Sequence, residues 1–115
     1  MYVKTDIKNM SVSKADIEEP KFAINNQSKQ IQITAKEGNF LDKNKILLKK
    51  NVRFKSNDFI IETERVIFNR NEQTAQSKNK TFFSAENTTI SSDGFDIFDK
   101  GNKIFFYGNA FVILK

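Results

Sequence analysis

The chain has 115 residues, 38% of them hydrophobic and 29% charged, a length that holds one domain with a limited buried fraction. It contains neither histidine nor cysteine, which removes the commonest general base, the commonest neutral metal ligand, thiol chemistry and disulfide staples together. Its net charge of +5 is uneven, with twelve Lys or Arg against six Asp or Glu in residues 1–57 and seven against eight thereafter, and such an excess favours anionic partners.

Residues 1–19 are polar, precede the single proline at Pro20, and read as a flexible N-terminal arm; residues 20–115 then form one domain. The opening Met1-Tyr2-Val3-Lys4 leads into polar residues, not into the apolar core of a signal peptide. From Phe22 onward apolar and polar residues alternate, and no stretch carries a 3.6-residue period. The alternation predicts strands at 29–37, 44–56, 58–68, 72–77, 80–91, 93–99 and 102–114. Turn-forming clusters separate them: Asp42-Lys43-Asn44, Ser56-Asn57-Asp58, Asn69-Arg70-Asn71, Lys78-Asn79, Asp93-Gly94 and Lys100-Gly101-Asn102. Connections this short join antiparallel neighbours.

The strands repeat. Ile46-x-Leu48 with Val52-x-Phe54 recurs 29 residues later as Ala75-x-Ser77 with Thr81-x-Phe83, and again as Ile104-x-Phe106 with Ala110-x-Val112. Between them Ile33-x-Ala35-x-x-Gly38-x-Phe40 is echoed by Ile61-x-Thr63-x-x-Val66-x-Phe68 and Ile90-x-Ser92-x-x-Phe95-x-Ile97, in steps of 28 and 29. A fixed period of this size signals stacked copies of one supersecondary unit. The x-x step breaks alternation at the same level in each copy. A bulge or corner there would bend every strand and fold the stack into two facing sheets.

In the 45–55 segment Ile46, Leu48, Val52 and Phe54 point one way, and Lys45, Lys49, Arg53 and Lys55 the other, which predicts an apolar interior and a charged exterior. That basic face either approaches lipid phosphates or is simply solvated. Inward slots at Ala35, Gly38, Thr63, Ala75, Ser77, Ser92 and Ala110 are small or polar. Either the sheets approach closely there, or a groove is left partly unfilled. The last segment is apolar on both faces through Ala110, Phe111, Val112, Ile113 and Leu114. It is either covered by the chain itself or is an edge at which another β protein continues the sheet.

Three features together resemble one family: the bulged repeat, Ile17-Glu18-Glu19-Pro20-Lys21-Phe22, and the ending Ile104-x-Phe106-x-Gly108-Asn109-Ala110-x-Val112. They are similar to the LptC family of lipopolysaccharide-transport proteins and its relatives in the OstA superfamily. Ile61-Glu62-Thr63-Glu64 stands where that family has a threonine-bearing strand, and Ile90-Ser91-Ser92-Asp93-Gly94-Phe95 where it has a late glycine-bearing turn. The resemblance spans residues 17–114, with fewer glycines in the turns than several relatives have. It implies an all-β fold, an antiparallel β-jellyroll of two facing, twisted sheets in an open boat shape, here built from about three 29-residue repeats.

The resemblance further implies a periplasmic carrier that shelters lipid A acyl chains in an apolar groove. Such a carrier passes lipopolysaccharide from an inner-membrane ABC transporter complex to an LptA-like bridge protein. Members usually begin with a transmembrane helix, so tethering to the inner membrane by a helix absent from this chain is expected. The expected lining is Ile33, Phe40, Ile46, Leu48, Val52, Phe54, Ile61, Thr63, Val66, Phe68, Phe83, Ile90, Phe95, Ile97, Ile104 and Phe106. Residues 110–114 are the expected partner edge. The same phenylalanines can equally form a packed core, and a soluble LptA-like bridge or a lipid-free β-sandwich interaction module fits the same pattern. Nucleic-acid binding is not expected, because the aromatic residues lie opposite the basic row. No cofactor, metal or enzymatic activity is expected, since catalysis would fall to scattered carboxylates such as Glu62 and Glu64.

Overall fold

The computed structural model describes residues 15–114, with side chains as far as residue 110. The described residues contain no helix, and twelve strands join in one antiparallel sheet. These are β1 (Ile17–Glu18), β2 (Lys21–Asn25), β3 (Gln30–Thr34), β4 (Glu37–Phe40), β5 (Lys45–Lys55) and β6 (Phe59–Asn69). They continue as β7 (Thr74–Ser77), β8 (Thr81–Ala85), β9 (Thr88–Ser92), β10 (Gly94–Phe98), β11 (Lys103–Tyr107) and β12 (Phe111–Leu114).

Pairing sorts the strands into two arms. The first arm runs β1, β4, the start of β5, the end of β6, β7, β10, β11; the second runs β2, β3, the end of β5, the start of β6, β8, β9, β12. Each traverse of the chain therefore contributes half its length to each arm. The traverses are β1–β2, β3–β4, β5, β6, β7–β8, β9–β10 and β11–β12, and in both arms their order is the chain order. The sheet is a meander of bent traverses. Positions related by 28 or 29 residues occupy matching places in alternate traverses, so the spacing of the repeat is the length of one up-and-down pair.

The bend has a local cause. Lys49 pairs with Arg65 and Val52 with Thr63, so Lys50 and Asn51 together oppose the single Glu64. Both sit at positive φ, 69° and 53°, which disturbs the ladder and turns the strand. Across from them β6 keeps Ile61 and Thr63 inward before the two-residue step, and Val66 and Phe68 inward after it. Glu19 and Gly108, also at positive φ, mark the same level in the outermost traverses.

Small polar side chains serve this corner. The buried Thr63 hydroxyl donates to the Lys80 carbonyl at 2.8 Å and lies 3.3 Å from the Ser77 hydroxyl. Thr81 donates to Asn79 O at 2.8 Å, and Ser92 to Gly94 O at 2.9 Å. A Cβ on Gly38 would stand 3.3 Å from Pro20 Cγ. Close approach at the corner accounts for Gly38, and the need of buried carbonyls for donors for Thr63 and Ser92; Ala75 lies farther along the first arm, and Ala110 is exposed and not inward.

The strands differ from expectation in five places. β2 lies wholly before the first predicted strand, and β4 extends beyond it. The predicted 80–91 strand is the β8–β9 hairpin, turning at Glu86-Asn87, and the predicted 102–114 strand is β11 and β12 with the corner between them. Ile17–Glu18, within the segment read as an arm, pairs with Gly38 and Glu37 of β4. Most of that segment, residues 1–14, lies outside the described residues.

Candidate functional site

Register assembles the apolar residues into rows that cross the strands. On the second arm Phe22, Ile33, Phe54, Ile61, Phe83, Ile90 and Val112 are successive partners, one from each traverse. Six strand spacings make that row roughly 29 Å long. On the first arm the partners are Phe40, Ile46, Phe68, Ala75, Ile97 and Ile104. Rings bridge the arms: Phe22–Phe68 at 5.3 Å, Phe54–Phe95 at 5.5 Å edge-on, and Phe83–Phe106 at 5.4 Å.

Of the sixteen expected lining residues, eleven are buried: Ile33, Ile46, Leu48, Val52, Phe54, Ile61, Thr63, Val66, Phe68, Phe95 and Ile97. Phe83, Ile90, Ile104 and Phe106 are half-buried, so the interior comes to the surface along the C-terminal traverses. Phe59 stacks on Phe83 at 5.4 Å and extends this aromatic margin. Phe40 stands apart, at 47% exposure. It shares the row of Ile46, but β1 pairs only with Glu37 and Gly38, so no strand among the described residues covers it; the Arg70 guanidinium lies 5.6 Å from its ring.

Sequence reasoning missed Phe22, Ile24 and Ile31, which are part of the same core or packed on it. Their alternation was visible in Phe22-x-Ile24 and Ile31-x-Ile33, with Asn26-Gln27-Ser28-Lys29 between as a turn. The 29-residue step from Val52-x-Phe54 points instead to Ala23-x-Asn25, one residue out of phase, which hid the first strand of the row.

The exterior is charged, and part of it is paired. Lys50 binds Glu37 at 2.8 Å with Lys49 at 3.9 Å, and Arg53 binds Glu62 at 2.8 Å. The Lys50 hydrogen bond, with the charges of both lysines, holds the Glu37 carboxyl below its ordinary range. Of two concavities at the corner, the one of about 1170 Å³ is lined mostly by charged residues, and the one of about 560 Å³ mixes Arg53, Glu62, Glu64 and Lys80 with Val52, Thr63 and Phe82. On the outer side of β11, the Tyr107 hydroxyl donates to the Ser77 carbonyl across Gly94, where a Cβ would stand 2.6 Å from the ring. Burial and the nearby Asp96 raise the phenol pKa.

At the expected partner edge, β12 pairs along one side with β9, from Ser91↔Phe111 to Thr88↔Leu114. No strand among the described residues pairs with its other side. Ala110 is exposed at the corner, outside β12, and the side chains at 111–114 lie outside the described residues.

Fold and interior together define a bent-sheet β protein that encloses one apolar row per arm. A family model described as lipopolysaccharide-assembly, LptC-related, matches residues 6–111. The chain belongs to the LptC-related family. It is also similar to an uncharacterized protein of Rickettsia prowazekii (strain Madrid E), 33% identical over 91 residues that cover 77% of this chain and 45% of that protein. The chain thus spans about half the length of the relative it matches.

Proposed function

We propose that this chain is the lipid-handling module of a lipopolysaccharide-transport protein working in the periplasm. It acts as a carrier without catalysis, sheltering lipid A acyl chains between the arms. The observation that carries the reading is that the apolar interior between the two arms runs across the traverses and comes to the surface at Phe83 and Ile90 on one arm and Ile104 and Phe106 on the other. A buried CH₂ is worth about 0.8 kcal/mol relative to water, so a 12-carbon chain needs roughly 10 kcal/mol of shelter. A row of roughly 29 Å is long enough to hold such a chain across the strands. Lipid arrives from an inner-membrane ABC transporter complex and leaves for an LptA-like bridge protein that adds a strand at the free side of β12.

A photo-reactive residue at Phe83 or Ile104 is expected to capture lipid A, whereas one at the outward Arg53 captures none. Capture that is equal at all three positions, or absent at all three, sinks the reading. The tight packing of Phe54, Phe68 and Phe95 favours a second reading, a β-sandwich interaction module that binds partners but no lipid; absence of capture with retained partner binding selects it.

A further inference from the structure

The interior as described is filled. Ile31, Phe54, Phe95 and Ile97 are at most 1% exposed, and the Phe54 and Phe95 rings meet across it. A guest chain enters only where the arms part. They cannot separate at the corner, because every traverse runs through it covalently. They can separate at the rim, where the turns of the two arms meet.

One rim contact is built for this. In the turn between β2 and β3, Asn26 Oδ1 accepts the Ser28 and Lys29 backbone N–H groups at 2.8 and 2.9 Å, which aims its amide outward. That amide donates to the Lys100 carbonyl at 2.8 Å and reaches Asn102 Oδ1 at 3.4 Å, in the turn between β10 and β11 of the other arm. Beside it the Asn25 backbone N–H donates to Gln73 Oε1 at 2.8 Å, in the turn between β6 and β7. Beneath the amide, Gly101 is packed so closely that a Cβ would stand 2.8 Å from Ile31 Cδ1 and 3.3 Å from Ile24 Cγ2.

On the first-arm side the acceptors sit in turns that hold non-glycine residues in the left-handed region: Gln73, Asp99 and Lys100 have φ of 55°, 56° and 52°. Such strain persists where surrounding contacts hold it and is released when they let go. The hydrogen bonds themselves are exposed, so water competes for each partner as the contact opens. The corner offers the complementary hinge, with Lys50 and Asn51 absorbing the bend.

Resting on the lipid-carrier reading above, we propose that Asn26, Gln73 and the Lys100–Asn102 turn form a latch. Its opening swings the arms apart at the rim and admits an acyl chain sideways into the interior. The chain then enters along the flank of the sheet and need not thread from one end.

The test uses the whole chain, cis-parinaric acid as a fluorescent acyl probe, and hydrogen exchange measured without any lipid. Asn26→Ala, which removes the contacts to Lys100 and Asn102 together with the turn bonds from Ser28 and Lys29, is expected to speed probe uptake by roughly tenfold and to raise exchange in 24–31 and 98–102 while the corner amides stay protected. Asn26→Cys with Asn102→Cys, bridged by a short bis-maleimide, is expected to slow uptake by at least the same factor, and the unbridged pair to restore it. The absence of native cysteine makes that bridge unique. If the wild-type chain takes up the probe and the bridged chain does so equally fast, the latch is not the gate, and the carrier reading stands. If neither the wild-type chain nor Asn26→Ala ever holds the probe, the carrier reading falls and the gate falls with it.

Discussion

Gly94 shows how tightly single positions are set. A Cβ there would stand 2.5 Å from the Ser77 carbonyl oxygen and 2.6 Å from the Tyr107 ring, and a backbone atom cannot swing aside as a flexible side chain does. Gly94→Ala is expected to cost about 1–3 kcal/mol, read as a lowered thermal midpoint. An unchanged midpoint would show that β10 and β11 shift freely. The turn before β5 depends on a charge. Asp42 Oδ1 accepts the Asn44 and Lys45 N–H groups at 2.8 and 2.9 Å, and these bonds lower its pKa from the ordinary 3.8. The folded chain therefore binds its proton less readily than the unfolded chain. The turn's contribution is complete above the unfolded value and fades as pH falls through the folded one. A titration of Asp42 by NMR should give a midpoint below 3.8, and Asp42→Asn should remove that part of the acid sensitivity.

At the scale of elements, the bulge in β5 carries the strand around the corner. With Lys50 and Asn51 both present, Leu48 and Val52 point inward on either side of the corner. Deleting Asn51 leaves Lys50 alone opposite Glu64 and removes half of the positive-φ pair that turns the strand, so the second half of β5 is expected to lose its bend over the first. That deletion is expected to abolish cooperative unfolding, whereas Asn51→Gly, which suits φ of 53°, should be neutral or stabilising by up to about 1 kcal/mol. Circular dichroism during thermal unfolding distinguishes them. A deletion variant that melts like the parent would mean that the bend of β5 does not depend on the bulge.

The same elements show what the sequence could disclose. Ile46 to Phe54 and Ile61 to Phe68 spelled out their strands, faces and the level of the bend, because a half-buried strand writes its burial in alternate letters. The turn at Glu86-Asn87 was not legible, since Thr88 to Ser92 continues the β pattern without glycine or proline. Nor was the exposure of Phe40, which depends on how short β1 is, a matter of pairing and not of composition. Alternation marked the apolar rows and left open whether they are filled. The bridging rings, Phe54 on Phe95 and Phe22 on Phe68, come from residues far apart in the chain.

For the whole molecule, the proposed bridge contact uses the side of β12 with which no described strand pairs. Phe111→Asp or Ile113→Asp is expected to weaken capture of an LptA-like bridge at least tenfold, more than 1.4 kcal/mol of binding, with a smaller change in unfolding free energy. A pull-down paired with a denaturation curve measures both. Equal losses would return the strand to the core.

Because each traverse pairs only with those beside it in the chain, the number of traverses is not fixed by the fold. Joining Ile60 directly to Ile90 would remove 29 residues, yet Ile90 would land on the Phe54 partner position that Ile61 holds, with its face and its bend intact. A Greek-key sandwich could not be shortened this way without rethreading. Such a chain can grow or shrink during evolution by whole duplications, and the reach of the apolar row would be inherited as a count of copies.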